Sequence, residues 1–156
     1  MRASPQLRIS VQNQAGRKGV PVARSFETWV RAALDGRRRG ATELAIVLLG
    51  ETAARDLNRR YRGKDRATNI LSFPYEALRD EKKSALLGDL VICPAVVARE
   101  ARAQHKRARD HYAHLTVHGT LHLLGYDHAR ERDAKAMESI ERKVLAGLGI
   151  ADPYEP

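Results

Sequence analysis

Three histidines near the C-terminal end constrain this chain more tightly than any other feature. They lie in HGTLHLLGYDH, residues 118–128, spaced four and then six apart, with a glycine between the second and third. Residues four apart on an α-helix are rotated by about 40° and separated by about 6 Å along its axis. His118 and His122 therefore point from one helix face and can hold one metal ion between them. On an unbroken helix His128 would sit about 9 Å beyond His122 and around the far side. The helix must end, and the chain must turn back. Gly125 suits that break, because glycine accepts the left-handed conformation that ends helices. Tyr126 and Asp127 then form the turn that returns His128 toward the ion.

Three neutral imidazoles are a common donor set for zinc, and three protein ligands leave a fourth position open for water. Zinc lowers the pKa of such a water to about 7. Asp127 suits either of two tasks, orienting a ligand imidazole or capping the last helix. His114, one turn before His118, shares its face and is either a partner of the site or a half-exposed helix residue. His105 and His111 carry no spacing argument and are expected at the surface.

The spacing H-x-x-x-H-x-x-G-x-x-H is that of metzincin peptidases, in which glutamate follows the first histidine and acts as general base. Here that residue is Gly119. Peptide hydrolysis lacks its usual proton acceptor. The expectation moves to a substrate that needs its charge neutralised more than an amine protonated.

The flanking chain supplies a scaffold. LRISVQ (7–12) alternates as a half-buried strand, and ELAIVLLG (43–50) reads as a strand buried on both faces. Ser25 is placed to cap a helix with Phe26, Trp29, Val30, Ala33 and Leu34 on one face. A short helix is expected over about 51–61. NILSFPYE (69–76) reads as a strand that Pro74 confines to an edge, and GDLVICP (88–94) as a short buried strand. Pro94 opens a helix carrying Val96, Val97 and Ala101. Asp110 is placed to cap the histidine helix, and Gly147 or Gly149 to end the last one. The order is strand, helix, strand, helix, strand, strand, then three helices. It predicts one α+β domain over 1–156, a single mixed sheet of about four strands with helices packed on it, and a zincin-like histidine helix with a returning turn.

Composition narrows the class. The chain has 156 residues, 43% hydrophobic and 30% charged, which reads as globular. No apolar run is long enough to span a bilayer, and the N-terminus has no apolar signal region. Cys93 is the only cysteine, so an internal disulfide is impossible. These features fit a reducing cytoplasm, with Cys93 as a small buried hydrophobe. The formal charge of +9 is concentrated in Arg37–Arg39, Arg59–Lys64 and Lys106–Arg109, and such clusters attract polyanions.

The segment RRYRGKDRATNILSFPYE (59–76) crowds Arg60, Arg62, Lys64 and Arg66 around Gly63. Arginine binds phosphate through paired hydrogen bonds, and Gly63 would let the backbone approach an anion. Tyr61 and Phe73 flank this loop, as core residues of the helix and strand they end or as stacking surfaces for bases.

HGTLHLLGYDH, YRGKDRATNILSFPYE and LLGDLVIC, in that order, resemble the bacterial YbeY-type endoribonucleases that mature ribosomal RNA. The resemblance runs from about Glu43 to Tyr154 and includes the terminal DPY. It implies one zinc held by His118, His122 and His128, and a functionally important arginine, Arg62. It also implies a metal-dependent enzyme, specific for single strands, in small-subunit RNA 3′-end maturation and ribosome quality control. Ala67 stands where the family usually has proline.

Together these readings give Arg62 the charge of the transition state, and Lys64, Arg60 and Arg66 the RNA backbone. The expected partners are ribosomal RNA, the small ribosomal subunit, and a ribosomal protein or GTPase that recruits the enzyme. Glu76, Asp65 and Asp89 are general-base candidates by residue type alone. Two other classes remain open: a peptidase or esterase with an unusual base, and a non-enzymatic ribosome-binding module with a structural metal.

Overall fold

The computed structural model describes residues 6–75 and 85–155. Along the chain run β1 (Leu7–Asn13), α1 (Ala23–Leu34), β2 (Thr42–Leu48), α2 (Glu51–Arg62), β3 (Ile70–Pro74), β4 (Leu86–Ile92), α3 (Pro94–Ala103), α4 (Ala108–Leu123) and α5 (Glu131–Gly147). The order of strands and helices is the predicted one. The strands form one sheet in the order β1-β2-β4-β3. β1 and β4 pair parallel to β2, and β3 pairs antiparallel to β4. Pro74 thus falls at the end of an edge strand, where its missing N–H costs no ladder bond.

The apolar pattern of each element builds the core. On α1, Phe26, Trp29, Val30, Ala33 and Leu34 are all buried. They join Leu44, Ile46 and Leu48 of β2, Leu90 and Ile92 of β4, and the inner side of α4 in one cluster. Each fully buried side chain of this kind contributes roughly 1.5–3 kcal/mol. β2 is less enclosed than its sequence predicts. Leu44, Ile46 and Leu48 are buried, but Glu43, Ala45 and Val47 between them are only half-buried. Helices α1 and α4 cover one face, so the run is hydrophobic on both faces but packed tightly on only one.

Helix α4 is the hub. It touches α1, α3, α5, β3 and β4. A helix enclosed on so many sides needs small residues where it meets a sheet. Gly119 is that residue: a β-carbon there would lie 2.7 Å from Ile70 Cδ1 and 2.8 Å from Leu90 Cδ2. The position that carries glutamate in metzincins here faces the sheet, so the missing carboxylate reflects packing.

Several local expectations change. α1 begins at Ala23, two residues before Ser25, and Ser25 is a buried first-turn residue whose Oγ accepts from Arg109 Nη1 at 3.0 Å. Asp110 lies within the first turn of α4, which starts at Ala108 without a side-chain cap. His111 is 4% exposed, and its Nε2 pairs with Glu100 Oε1 at 2.9 Å. Burial lowers its pKa against the opposing pull of Glu100. His105 is exposed, as expected. Tyr61 is 67% exposed and meets the Phe73 ring edge-on at 5.3 Å, so it is no core residue. Cys93 packs in a small apolar cluster with Ala54 and Val96.

Candidate metal centre

The end of α4 is built as the glycine predicts. Gly125, at φ +103°, donates its N–H to His122 O at 2.9 Å, and Tyr126 N–H bonds Leu121 O at 3.1 Å. This pair of bonds is the Schellman reversal, and the apolar contact that accompanies it comes from Tyr126 and Leu121 in the main core. Asp127 neither orients an imidazole nor caps α5. Its Oδ1 accepts the backbone N–H of His128 at 2.7 Å and of Ala129 at 3.2 Å. These bonds hold its carboxyl below the usual range and fix the path of the returning chain.

The three predicted ligands converge. Ring centroids are 4.6 Å apart for His118–His122, 4.7 Å for His122–His128 and 5.6 Å for His118–His128. One nitrogen from each lies within 4.8 Å of the others. His118 Nε2 and His122 Nε2 are 3.1 Å apart. Tetrahedral zinc with bonds of 2.0–2.1 Å spaces its donor nitrogens by about 3.3 Å.

A residue outside the motif decides which nitrogen of His118 is free. Glu141 of α5 is fully buried, and its Oε1 lies 2.5 Å from His118 Nδ1. Its Oε2 accepts from the Tyr154 hydroxyl at 2.5 Å. Burial alone raises the Glu141 carboxyl. The neighbouring His114, His118 and Tyr154 outweigh it and hold the pKa at about 2. An ionised carboxylate accepts only, so His118 Nδ1 carries the proton and Nε2 presents a lone pair. Burial, then the neighbouring His118 and His128, lowers the pKa of His122 and favours its neutral form. His118 Nε2 turns its lone pair toward His122 Nε2, and a neutral His122 can present a second one there, so the donor set fits a metal ion. Zinc suits such neutral nitrogen donors.

The histidines open into a cleft of about 540 Å³. His114, His118, His122 and His128 line one side, and Arg62 with residues 68–72 lines the other. His114 thus belongs to the site. Of the four basic residues singled out by sequence, only Arg62 lines the cleft. Arg60 is exposed on α2 and paired with Asp56 at 3.1 Å, while Lys64 and Arg66 are exposed on the following loop. Gly63 ends α2 at φ +69°, its N–H bonded to Arg59 O, so its conformation has a local structural cause.

No carboxylate lines the cleft among the described residues. Asp65 is held by Arg55 through two bonds of 2.8 and 2.9 Å, which lower its pKa. Asp89 lines a different cavity with Arg8 and Glu43. Glu76 lies outside the described residues. Glu141, which sequence reading passed over, and Tyr154, which it met only in the terminal DPY without a role, come from positions with no spacing relation to the histidines.

Fold and site together define an α+β protein with three converging histidines, able to hold a metal ion, lining a polar cleft. The chain belongs to the family described as Endoribonuclease YbeY, whose sequence model matches residues 10–149. It is 54% identical over 156 residues to Endoribonuclease YbeY of Stenotrophomonas maltophilia strain R551-3, covering 98% of this chain and 96% of the relative. It is 56% identical over 152 residues to that of Xanthomonas oryzae pv. oryzae strain MAFF 311018, covering 96% and 94%. The solution structure of TM1509 from Thermotoga maritima is similar in fold, with a TM-score of 0.59 and 21% identity, over 97% of this chain and 100% of that one.

Proposed function

We propose that this chain is a zinc-dependent endoribonuclease that cuts single-stranded RNA during 3′-end maturation of the small-subunit ribosomal RNA and in ribosome quality control. One observation carries the reading: the Arg62 guanidinium and three converging imidazoles line the same cleft. Family membership supports RNA as the substrate.

Zinc, when bound by His118, His122 and His128, supplies a Lewis acid for a phosphoryl oxygen and lowers the pKa of a coordinated water. The protein's part is charge and position. Arg62 offers a planar pair of donors to the phosphate across the cleft and stabilises the charge that grows there. Lys64, Arg60 and Arg66, on the surface leading to that wall, hold the strand by its backbone. A single strand bends its phosphates into a cleft that a stacked duplex cannot enter. The whole chain works as one domain, in the cytoplasm, on the small subunit, with a ribosomal protein or GTPase to recruit it.

The test compares wild type, His122→Ala and Arg62→Ala on a precursor small-subunit RNA after identical purification. His122→Ala loses bound metal and cleavage together. Arg62→Ala keeps its metal and loses cleavage. Undiminished cleavage by His122→Ala would overturn the reading.

A further inference from the structure

Chain ends are ordered only where something ties them down. Here the segment after α5 is tied at several points. Gly149 and Ile150 N–H bond back to Ala146 O and Leu145 O, at 3.0 and 2.9 Å, and reverse the chain. Asp152 Oδ1 accepts Tyr154 N–H at 2.8 Å, and its Oδ2 accepts from Arg142 Nε at 3.0 Å. Pro153 O accepts from Lys106 Nζ at 3.1 Å. The Arg142 guanidinium lies 5.2 Å from the centre of the Tyr154 ring.

All these contacts deliver one hydroxyl. Tyr154 Oη sits 2.5 Å from Glu141 Oε2 and 3.2 Å from His114 Nε2. The direction of every bond follows from the inventory of donors. The Tyr154 hydroxyl has one proton, and the carboxylate oxygen at 2.5 Å is the nearer of its two partners, so the proton goes to Glu141 Oε2. The Tyr154 oxygen can then only accept, and His114 supplies Nε2–H. The chain reads His114 to Tyr154 to Glu141, with His118 Nδ1–H meeting the same carboxylate from the other side. Without the hydroxyl, Glu141 Oε2 is a buried acceptor with no donor. His114 Nε2, 3.6 Å from Oε1, is then the nearest proton to compete with His118 for the carboxylate.

We propose that Tyr154, anchored by the Asp152–Pro153 turn and backed by His114, is a positioning residue of the metal centre. It pins the Glu141 carboxylate so that His118 keeps Nδ1 protonated and offers Nε2 to the cation. The C-terminal tail is thereby a working part of a site whose ligands end at His128. This inference rests on the three histidines being the metal ligands.

The experiment uses the full chain and cobalt(II) as a spectroscopic probe, titrated against a chromophoric chelator. Glu141→Gln, nearly isosteric, lowers cobalt affinity about 10–100-fold, the range seen when partners of metal-bound histidines are removed. Tyr154→Phe lowers it by less, and both variants shift the visible bands of the bound ion. Metal-free Tyr154→Phe keeps the wild-type circular dichroism, which separates positioning from folding. A Tyr154→Phe protein with wild-type affinity and bands overturns the proposal even if Glu141→Gln fails to fold. His122→Ala is the control for the underlying reading: undiminished cobalt binding there would remove the metal site itself.

Discussion

The two walls of the cleft are built to different tolerances. The histidine wall belongs to α4, enclosed by three helices and two strands. Its three histidines are braced by a Schellman turn, an aspartate-held loop and a buried carboxylate. The opposite wall joins the exposed end of α2 and the loop after it to β3. Apart from the exposed Arg55–Asp65 pair, its loop is tied by Asn58, buried at 1% exposure, which gives Nδ2–H to Arg66 O at 2.8 Å. Asn69 adds a second tie, donating to Glu100 Oε1 at 2.9 Å. The difference follows from the chemistry. A metal ion demands nitrogens placed within a few tenths of an ångström. A long arginine meets a phosphate through a flexible stem, so its backbone needs less rigid support.

Breaking the rigid wall has the larger effect. Gly119→Ala drives a methyl group into Ile70 and Leu90, and the protein loses about 1–3 kcal/mol of stability to overpacking. Thermal melting of the metal-free chain measures that loss, and the cobalt titration shows weaker binding, because α4 must shift. An unchanged melting temperature would mean that the helix is not held against the sheet as described.

Loosening the other wall gives a smaller and different effect. Asn58→Ala removes the bond to Arg66 O and costs about 1 kcal/mol. Cobalt affinity stays at the wild-type level, while KM for RNA rises as the loop leading to Arg62 relaxes. If metal affinity falls as well, the two walls are not independent. The smallest effect belongs to one exposed cation. Lys64→Ala flattens the dependence of log RNA affinity on log salt by about 0.7, the value for one lost phosphate contact on a single strand. Titrations at several salt concentrations read it directly.

Legibility in the sequence divides along the same line. The His118–His122 pair, the break at Gly125 and the return of His128 were readable because each is a short-range consequence of helical geometry. Strand and helix order was readable from apolar period. Helix starts were not: α1 and α4 begin without side-chain caps, so Ser25 and Asp110 misled. His111 carried no periodic signal of burial, because its partner Glu100 lies on another helix. Gly119 read as a missing base, although neighbours on two strands explain it.

By itself the sequence determined which three side chains could share an ion, since spacing along one helix and one turn sets their directions. Only the tertiary structure decided which nitrogen His118 offers and which arginine shares the cleft with the three histidines. Glu141 approaches from 23 residues away and Tyr154 lies 40 residues beyond His114. Arg62 reaches the cleft because α2 and β3 place it opposite α4, while its basic neighbours point elsewhere. Hydrogen-bond direction and burial are properties of contacts between distant segments, and no local spacing encodes them.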